Sequence, residues 1–432
     1  MKGHILILSP GSWPWQVSGE ATFLEPEALV ARERFDRVIV VPQTVAGERD
    51  PFPDGLELET SYAEEAGRLS SAKLAARAAT SGLVEEEFID RWRDLRDRRV
   101  VRELVAHAGR AQHARDWLTR LLARQQLPPD RVIVETFWWT PATTGFALAR
   151  QRHPSLRVFT RAHGFDLYED RHEPAYIPCR RAGLRWLCGV FPDSDRGTRH
   201  LHEQFPQARL LIETGLPGIF DPGVRSPPST DGVLRVATCA LLRPIKRMNL
   251  LIEGLAAAAR LEPNRRFEWE HFGNGPDREA TEAHARAVLP PTVKFHFAGY
   301  ASQAGLFEAY GSRPADVFVN VSKSEGTAVS LLEAIACGIP LLVTAVGGNV
   351  EVCQSNYNGL HLSPNPTAEE VGRALLRFAP DRPEQLPRRD ASRAVWASRY
   401  DARRNHEAFY RRLVEWPSVT PRSPRAQAPT GS

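Results

Sequence analysis

The chain has 432 residues, 42% of them hydrophobic and 25% charged, with a formal net charge of +4. That length is enough for two domains with separate cores, and the composition is ordinary for a soluble globular protein. So small a charge, with no aromatic–basic RNA-binding signature, argues against nucleic acid as a partner. The five cysteines (Cys179, Cys188, Cys239, Cys337, Cys353) are odd in number, scattered and without metal-ligand spacing. They read as reduced core thiols of a cytoplasmic protein. Ile5 to Leu8 is too short for a signal-peptide core, and no run approaches the ~18 apolar residues of a membrane span. Membrane contact is therefore expected to be peripheral at most.

In chain order, Ile5 to Leu8 reads as a buried strand and Gly11 to Gly19 as a polar loop. A helix follows from about Glu20 to Arg34, then a strand from Val38 to Val41. Residues 62–126 read as helical and rich in arginine, with Trp92, Leu95, Val100, Leu104 and Trp117 among the residues of the apolar faces. The arginines interleave with Asp90, Asp94, Asp97, Glu103 and Asp116, which suggests a salt-bridged surface. A basic face docking on anionic lipid is the sharper alternative. Strands are expected at Val132–Val134, Arg157–Thr160, Val190–Phe191 and Leu210–Ile212, with a helix opening at Thr140-Pro141. Residues 215–233, rich in Pro, Gly and Ser, read as a linker after a first domain spanning 1–214.

The second half alternates more cleanly. Strands at Leu234–Thr238, Arg266–Phe272 and Val293–Phe297 each precede a helical pattern, and Asp316–Val321 and Leu341–Thr344 bracket a short helix. This second domain covers 234–384, amphipathic helices occupy 385–416, and the tail 417–432 has a disordered composition. The alternation predicts an α/β fold of two doubly wound, Rossmann-like domains that face a cleft.

The segment Ser324-Glu325-Gly326-Thr327-Ala328, running into a helix that contains Glu333 and stops at Gly338-Ile339-Pro340, carries the most chemistry. A strand, a polar loop and a helix N-terminus are how open α/β sheets build nucleotide and anion sites. Glu325 precedes the helix, where its carboxylate can point into a cleft; the bland alternative is a loop carboxylate favoured by the helix dipole. Glu333 lies inside the helix among apolar neighbours, where an unpaired charge is costly. A ribose diol would resolve that cost, and so would a paired arginine.

The runs Asp316 to Gly326, Glu333 to Pro340, Thr344 to Glu351 and Asn358-Gly359-Leu360 resemble the donor half of retaining GT-B glycosyltransferases of family four, group 1. The family signature is a pair of glutamates separated by seven residues, matched here by Glu325 and Glu333. Gly19-Glu20-Ala21-Thr22-Phe23 and Arg161-Ala162-His163-Gly164-Phe165-Asp166-Leu167-Tyr168 resemble a branch acting on lipopolysaccharide and other surface polysaccharides. Phe137-Trp138-Trp139 stands where that branch carries aromatics. The resemblance implies that Glu325 holds the donor sugar, Glu333 the ribose and Lys246 the leaving diphosphate. Gly19 and the amides at Gly326, Thr327 and Ala328 would assist at the donor, and His163 would lie beside the reacting centre. The family arginine expected five residues before Lys246 is replaced by Leu241, leaving Arg243 or Arg247 as substitutes.

The resemblance further implies a retaining transferase using a UDP- or GDP-sugar, with no cofactor and no metal. Its acceptor would be a glycan or lipid-linked glycan, met in the cytoplasm or peripherally at the inner face of the plasma membrane. A sugar phosphorylase, a nucleotide-sugar epimerase and a non-catalytic nucleotide-sugar-binding module remain alternatives.

Overall fold

The computed structural model describes residues 1–15 and 20–417. Gly19 and the tail from Ser418 lie outside those residues. Short apolar runs, buried on both faces, pair into two parallel sheets, as expected where helices cover each side. The first sheet contains β1 (Ile5–Ser9), β2 (Arg37–Val40), β3 (Glu57–Leu58), β4 (Val132–Thr136), β5 (Arg157–Ala162) and β6 (Gly189–Pro192), in the order β3-β2-β1-β4-β5-β6. The second contains β7 (Leu234–Cys239), β8 (Phe267–Phe272), β9 (Val293–Gly299), β10 (Val317–Asn320), β11 (Leu341–Thr344) and β12 (Gly359–Leu362), in the order β12-β11-β10-β7-β8-β9. Both therefore have the doubly wound order. Neighbouring strands that diverge into helices on opposite faces leave a crevice at their carboxyl ends. Here the switch points lie between β1 and β4 and between β7 and β10.

The chain divides into two units, Met1–Leu216 with Arg403–Ser432, and Pro217–Ala402. The stretch read as a linker is bound into the second unit. Ser226 donates its N–H to Cys337 O at 2.9 Å, Ser229 Oγ donates to Asp316 at 2.7 Å, and Arg389 donates to Ser226 O and Pro227 O. Its prolines suppress periodicity in the sequence without freeing the chain. The C-terminal helices are divided as well. Gln385–Val395 packs beside Val329–Ala336 in the second unit, while Ala402–Glu415 belongs almost wholly to the first.

The expected strand Leu210–Ile212 is a correction. Pro206–Leu211 forms a 3₁₀ turn opened by a proline, and only Ile212 bridges to Val190. A proline at the first position suits a helical turn and withholds a ladder donor. The arginine-rich section is four helices, Ser61–Gly67, Ser71–Ala79, Leu83–Arg91 and Arg98–Arg124. The longest starts where the Asp97 carboxylate accepts the Arg99 N–H at 2.8 Å, an N-cap. Gly109 lets it approach Ser71–Ala79, since a Cβ there would collide with the Leu74 carbonyl. Arg77–Asp116, Arg91–Glu169, Arg120–Glu65 and Arg124–Glu59 are ion pairs, which favours the salt-bridged reading of this section. Trp92, expected on an apolar face, is 47% exposed and lies against Arg93 and Arg96. Among the described residues no helix is long and apolar enough to cross a membrane.

Candidate active site

In the second unit the loops leaving β7 and β10 border the switch point. Pro244–Lys246 forms a 3₁₀ turn, and Arg247 comes next in the left-handed region at φ +53° before the helix Met248–Leu261. The Arg247 guanidinium donates to Val321 O (2.5 Å), Ser322 O (2.8 Å), Pro364 O (3.0 Å) and Asn365 Oδ1 (3.3 Å). It is committed to stitching the two loops together, which removes it as a substitute phosphate ligand. Arg243 stands exposed at the start of the same turn, so it is the arginine of the two placed to meet a ligand.

That stitching brings Lys246 and Glu325 together. Lys246 Nζ donates to Glu325 Oε1 at 2.6 Å, with side chains 24% and 10% exposed. The same oxygen accepts from Ser322 Oγ at 2.6 Å and Asn320 Nδ2 at 3.1 Å. Asn320 is itself fixed, accepting the Ser322 N–H at 3.0 Å through Oδ1. The carboxylate is thus oriented by charge-assisted bonds from three side chains. Gly326, Thr327 and Ala328 are half-buried, and Ala328 is the extended N-cap of Val329–Ala336 with no capping side chain. Leu331 donates its N–H back to Ala328 O at 3.0 Å, and the positive end of the helix dipole at this turn favours an anion.

Gly347, after β11, lies against this loop at φ +53°, and a Cβ there would collide with the Glu325 carbonyl. We predict that Gly347→Ala costs about 1–3 kcal/mol of backbone strain and displaces Glu325. The check is a lower melting temperature in thermal unfolding; an unchanged value would refute the role.

Glu333 is 6% exposed, one turn into its helix. Gln303 Nε2 donates to its Oε1 at 3.0 Å, and no arginine pairs with it among the described residues. Burial pushes its carboxyl above the ordinary range. Beside it the buried Tyr310 hydroxyl has no protein partner, and burial with the Glu333 charge pushes Cys239 up to about 12. Glu333, Gln303 and Tyr310 thus gather polar groups in a buried setting suited to hydroxyl groups rather than to charge. The turn Gly273-Asn274-Gly275-Pro276 comes after β8, and Asn274 O accepts the Leu242 N–H at 2.8 Å, which sets that turn against the Lys246 loop.

In the first unit His163 directly succeeds β5. Its N–H donates to Asp166 Oδ1 at 2.6 Å, and its ring lies 4.4 Å from both Phe137 and Trp138. Burial, then the Arg161 charge, lowers its pKa to about 3, so it is a neutral imidazole at physiological pH. The fold therefore unites Lys246 with Glu325 and gives Glu333 its own buried setting, whereas His163 belongs to the other unit. Asn320, Ser322 and Gln303 were missed by sequence reasoning, and Arg247 was weighed only as a phosphate ligand. Asn320 and Ser322 carried a signal, as polar residues at the end of an otherwise apolar strand; Gln303 carried none.

Two doubly wound units of this order define a GT-B fold, and the comparisons agree. Residues 231–394 match the family model described as Glycosyl transferases group 1. A sucrose synthase of Nitrosomonas europaea is 25% identical over 218 residues, 48% of this chain and 26% of that protein. A mannosylfructose-phosphate synthase of Agrobacterium fabrum is 30% identical over 137 residues, 31% of this chain and 30% of that protein. The chain thus spans less than a third of either relative.

Among solved structures, the lipopolysaccharide outer core galactosyltransferase WaaB in its apo form has a TM-score of 0.65 at 15% identity, covering 96% of this chain and 99% of its own. Anabaena Alr3699/HepE in complex with UDP-glucose has a TM-score of 0.61 at 16% identity, covering 95% of this chain and 100% of its own. At such identities the likeness establishes the fold.

Proposed function

We propose that the protein is a retaining glycosyltransferase. It moves a sugar from a UDP- or GDP-sugar to a glycan or lipid-linked acceptor in surface-polysaccharide synthesis, as a cytoplasmic enzyme. The observation that carries this reading is the Lys246–Glu325 pair at the switch point of the group 1 domain, at 2.6 Å. A diphosphate leaves with growing negative charge, and Lys246, Arg243 and the amides at 326–328 lie where donors and cations can meet it. Glu325 accepts hydroxyls of the donor sugar, and the Glu333–Gln303 pair accepts the ribose diol. Front-face attack, with the departing phosphate taking the acceptor proton, needs no separate base. That agrees with a His163 held neutral on the acceptor side. HepE, solved with UDP-glucose, supports a uridine donor.

The test is thermal unfolding across a panel of UDP- and GDP-sugars, because a bound donor raises apparent stability with its concentration. We expect one donor to raise the melting temperature by several degrees at about 100 Kd, roughly 2.7 kcal/mol. Product analysis by NMR should then show the donor's anomeric configuration retained. No shift with any nucleotide sugar would sink the proposal. An inverted product would remove retention alone.

A further inference from the structure

The first unit carries a constellation that the donor wall does not use. Loops leaving β4 and β5 place the Trp138 ring 4.8 Å from Phe165 and 4.4 Å from His163. Phe137 and His163 are buried, whereas Phe165 is 50% exposed and Trp138 half-buried. Aromatic faces are thus presented at the carboxyl end of the sheet, where open α/β sheets bind ligands.

These rings are held from behind. The Trp138 indole N–H donates to the Glu20 carboxylate, which also accepts the N–H groups of Gly11 (3.1 Å), Ser12 (2.7 Å) and Trp13 (3.0 Å). Asp166 accepts the His163 N–H at 2.6 Å and the Trp139 N–H at 2.7 Å, so one carboxyl ties both loops. Arg180 lies 4.0 Å over the Trp139 ring and donates to Trp139 O and Asp166 O. Side chains locked in this way make a preorganised surface.

The chemistry also selects the ligand. Converging backbone N–H groups beside a switch point make an anion site, but here Glu20 already fills that nest with its own carboxylate. The imidazole under the rings is neutral, and Arg171 at the rim is laid over Tyr168 at 4.9 Å. The exposed rings therefore suit an uncharged group with an apolar face and polar edges, which describes a pyranose, better than a phosphate.

We propose that Trp138 and Phe165 form a shelf that stacks the C–H face of an acceptor pyranose, with Glu20 and Asp166 as positioning residues. This rests on the glycosyltransferase reading for the word acceptor, but not for the binding of a sugar.

The test is saturation-transfer NMR on the full chain with the methyl glycosides of glucose, galactose and mannose, with and without UDP, and with mannose 6-phosphate as the charged control. We expect a methyl glycoside to bind, and its affinity to fall at least tenfold in Trp138→Ala and in the exposed-site variant Phe165→Ala. Glu20→Gln should weaken it several-fold while leaving the UDP-sugar thermal shift unchanged, a split that a general loss of structure would not give. Absence of glycoside binding, parental affinity retained in both aromatic variants, or preference for mannose 6-phosphate overturns the shelf. If donors shift the melting temperature and no glycoside binds, the shelf fails and the function stands. If a glycoside binds through Trp138 and no nucleotide sugar does, the function fails and the shelf stands.

Discussion

Lys246→Ala is expected to lower kcat for the proposed sugar transfer by about 10²–10³-fold while the melting temperature barely moves. The side chain is 24% exposed and makes no contribution to either core, so its removal leaves the fold in place. The charge facing the donor is what changes. Glu325 keeps its bonds from Ser322 and Asn320, so it stays oriented and loses its counter-ion. A diphosphate then meets a carboxylate where it had met an ammonium, and the penalty grows as negative charge builds on the leaving group. Loss in kcat beyond loss in KM is therefore expected. Glu325→Gln, which removes the repulsion and one of the two oxygens that would accept sugar hydroxyls, should combine with Lys246→Ala non-additively, by about 0.5–3 kcal/mol. Steady-state kinetics with the donor found by thermal shift decides the matter. A Lys246→Ala enzyme within threefold of the parent rate would reduce the lysine to a neutraliser of Glu325.

The loop and helix that carry Glu325 and Glu333 were legible in the sequence because their parts are local. A strand, a loop and a helix fix where Glu325 and Glu333 fall, and the β/α alternation fixes the parallel sheets. The pairing of Lys246 with Glu325 joins residues 79 positions apart. Its distance comes from a left-handed Arg247 and that residue's bonds to carbonyls, neither of which leaves a periodic signal. The partner of Glu333 was undecidable between ligand and arginine until Gln303 was seen to reach it from another helix. At 215–233 hydrogen bonds to Asp316 and Arg389 hold an aperiodic, proline-rich chain in place, which its composition does not reveal. The ties by Glu20 and Asp166 were equally invisible, since a side chain bonding to backbone in a distant loop looks like any carboxylate.

Arg161→Met destabilises the first unit by about 3–5 kcal/mol, the largest stability effect expected of any of these single changes. Arg161 is 3% exposed and stands between two carboxylates, Glu27 (1%) and Glu135 (0%). Its Nε donates to Glu27 at 3.0 Å and to Glu135 at 3.1 Å, Nη1 donates to Gly215 O at 3.0 Å, and Phe409 stacks at 4.0 Å. The cluster joins β4, β5, the helix Ala21–Arg34 and the helix Ala402–Glu415, so it fixes the C-terminal helix to the unit. Burial alone would raise Glu27, but the charges of Arg161 and His406 hold it down to about 2. Burial and the Glu27 charge push Glu135 well up, so of the two carboxyls Glu27 is the one that keeps its charge to lower pH. The two carboxyls therefore respond to pH with opposite signs. Glu27's contribution is complete above its ordinary 4.5 and is lost as pH falls toward about 2. Glu135, raised, contributes below the ordinary carboxylate range and loses that contribution as pH climbs through its folded value. In Arg161→Met the Glu27 anion is buried without its main partner, so the variant should gain stability between pH 7 and 5 as Glu27 takes a proton. Glu135→Gln mimics the protonated acid and should stay within about 1 kcal/mol of the parent at pH 7. Urea unfolding at both pH values tests all three statements. An Arg161→Met protein within 1 kcal/mol of the parent at pH 7, or one that weakens from pH 7 to 5, would show that the arginine does not neutralise the buried pair.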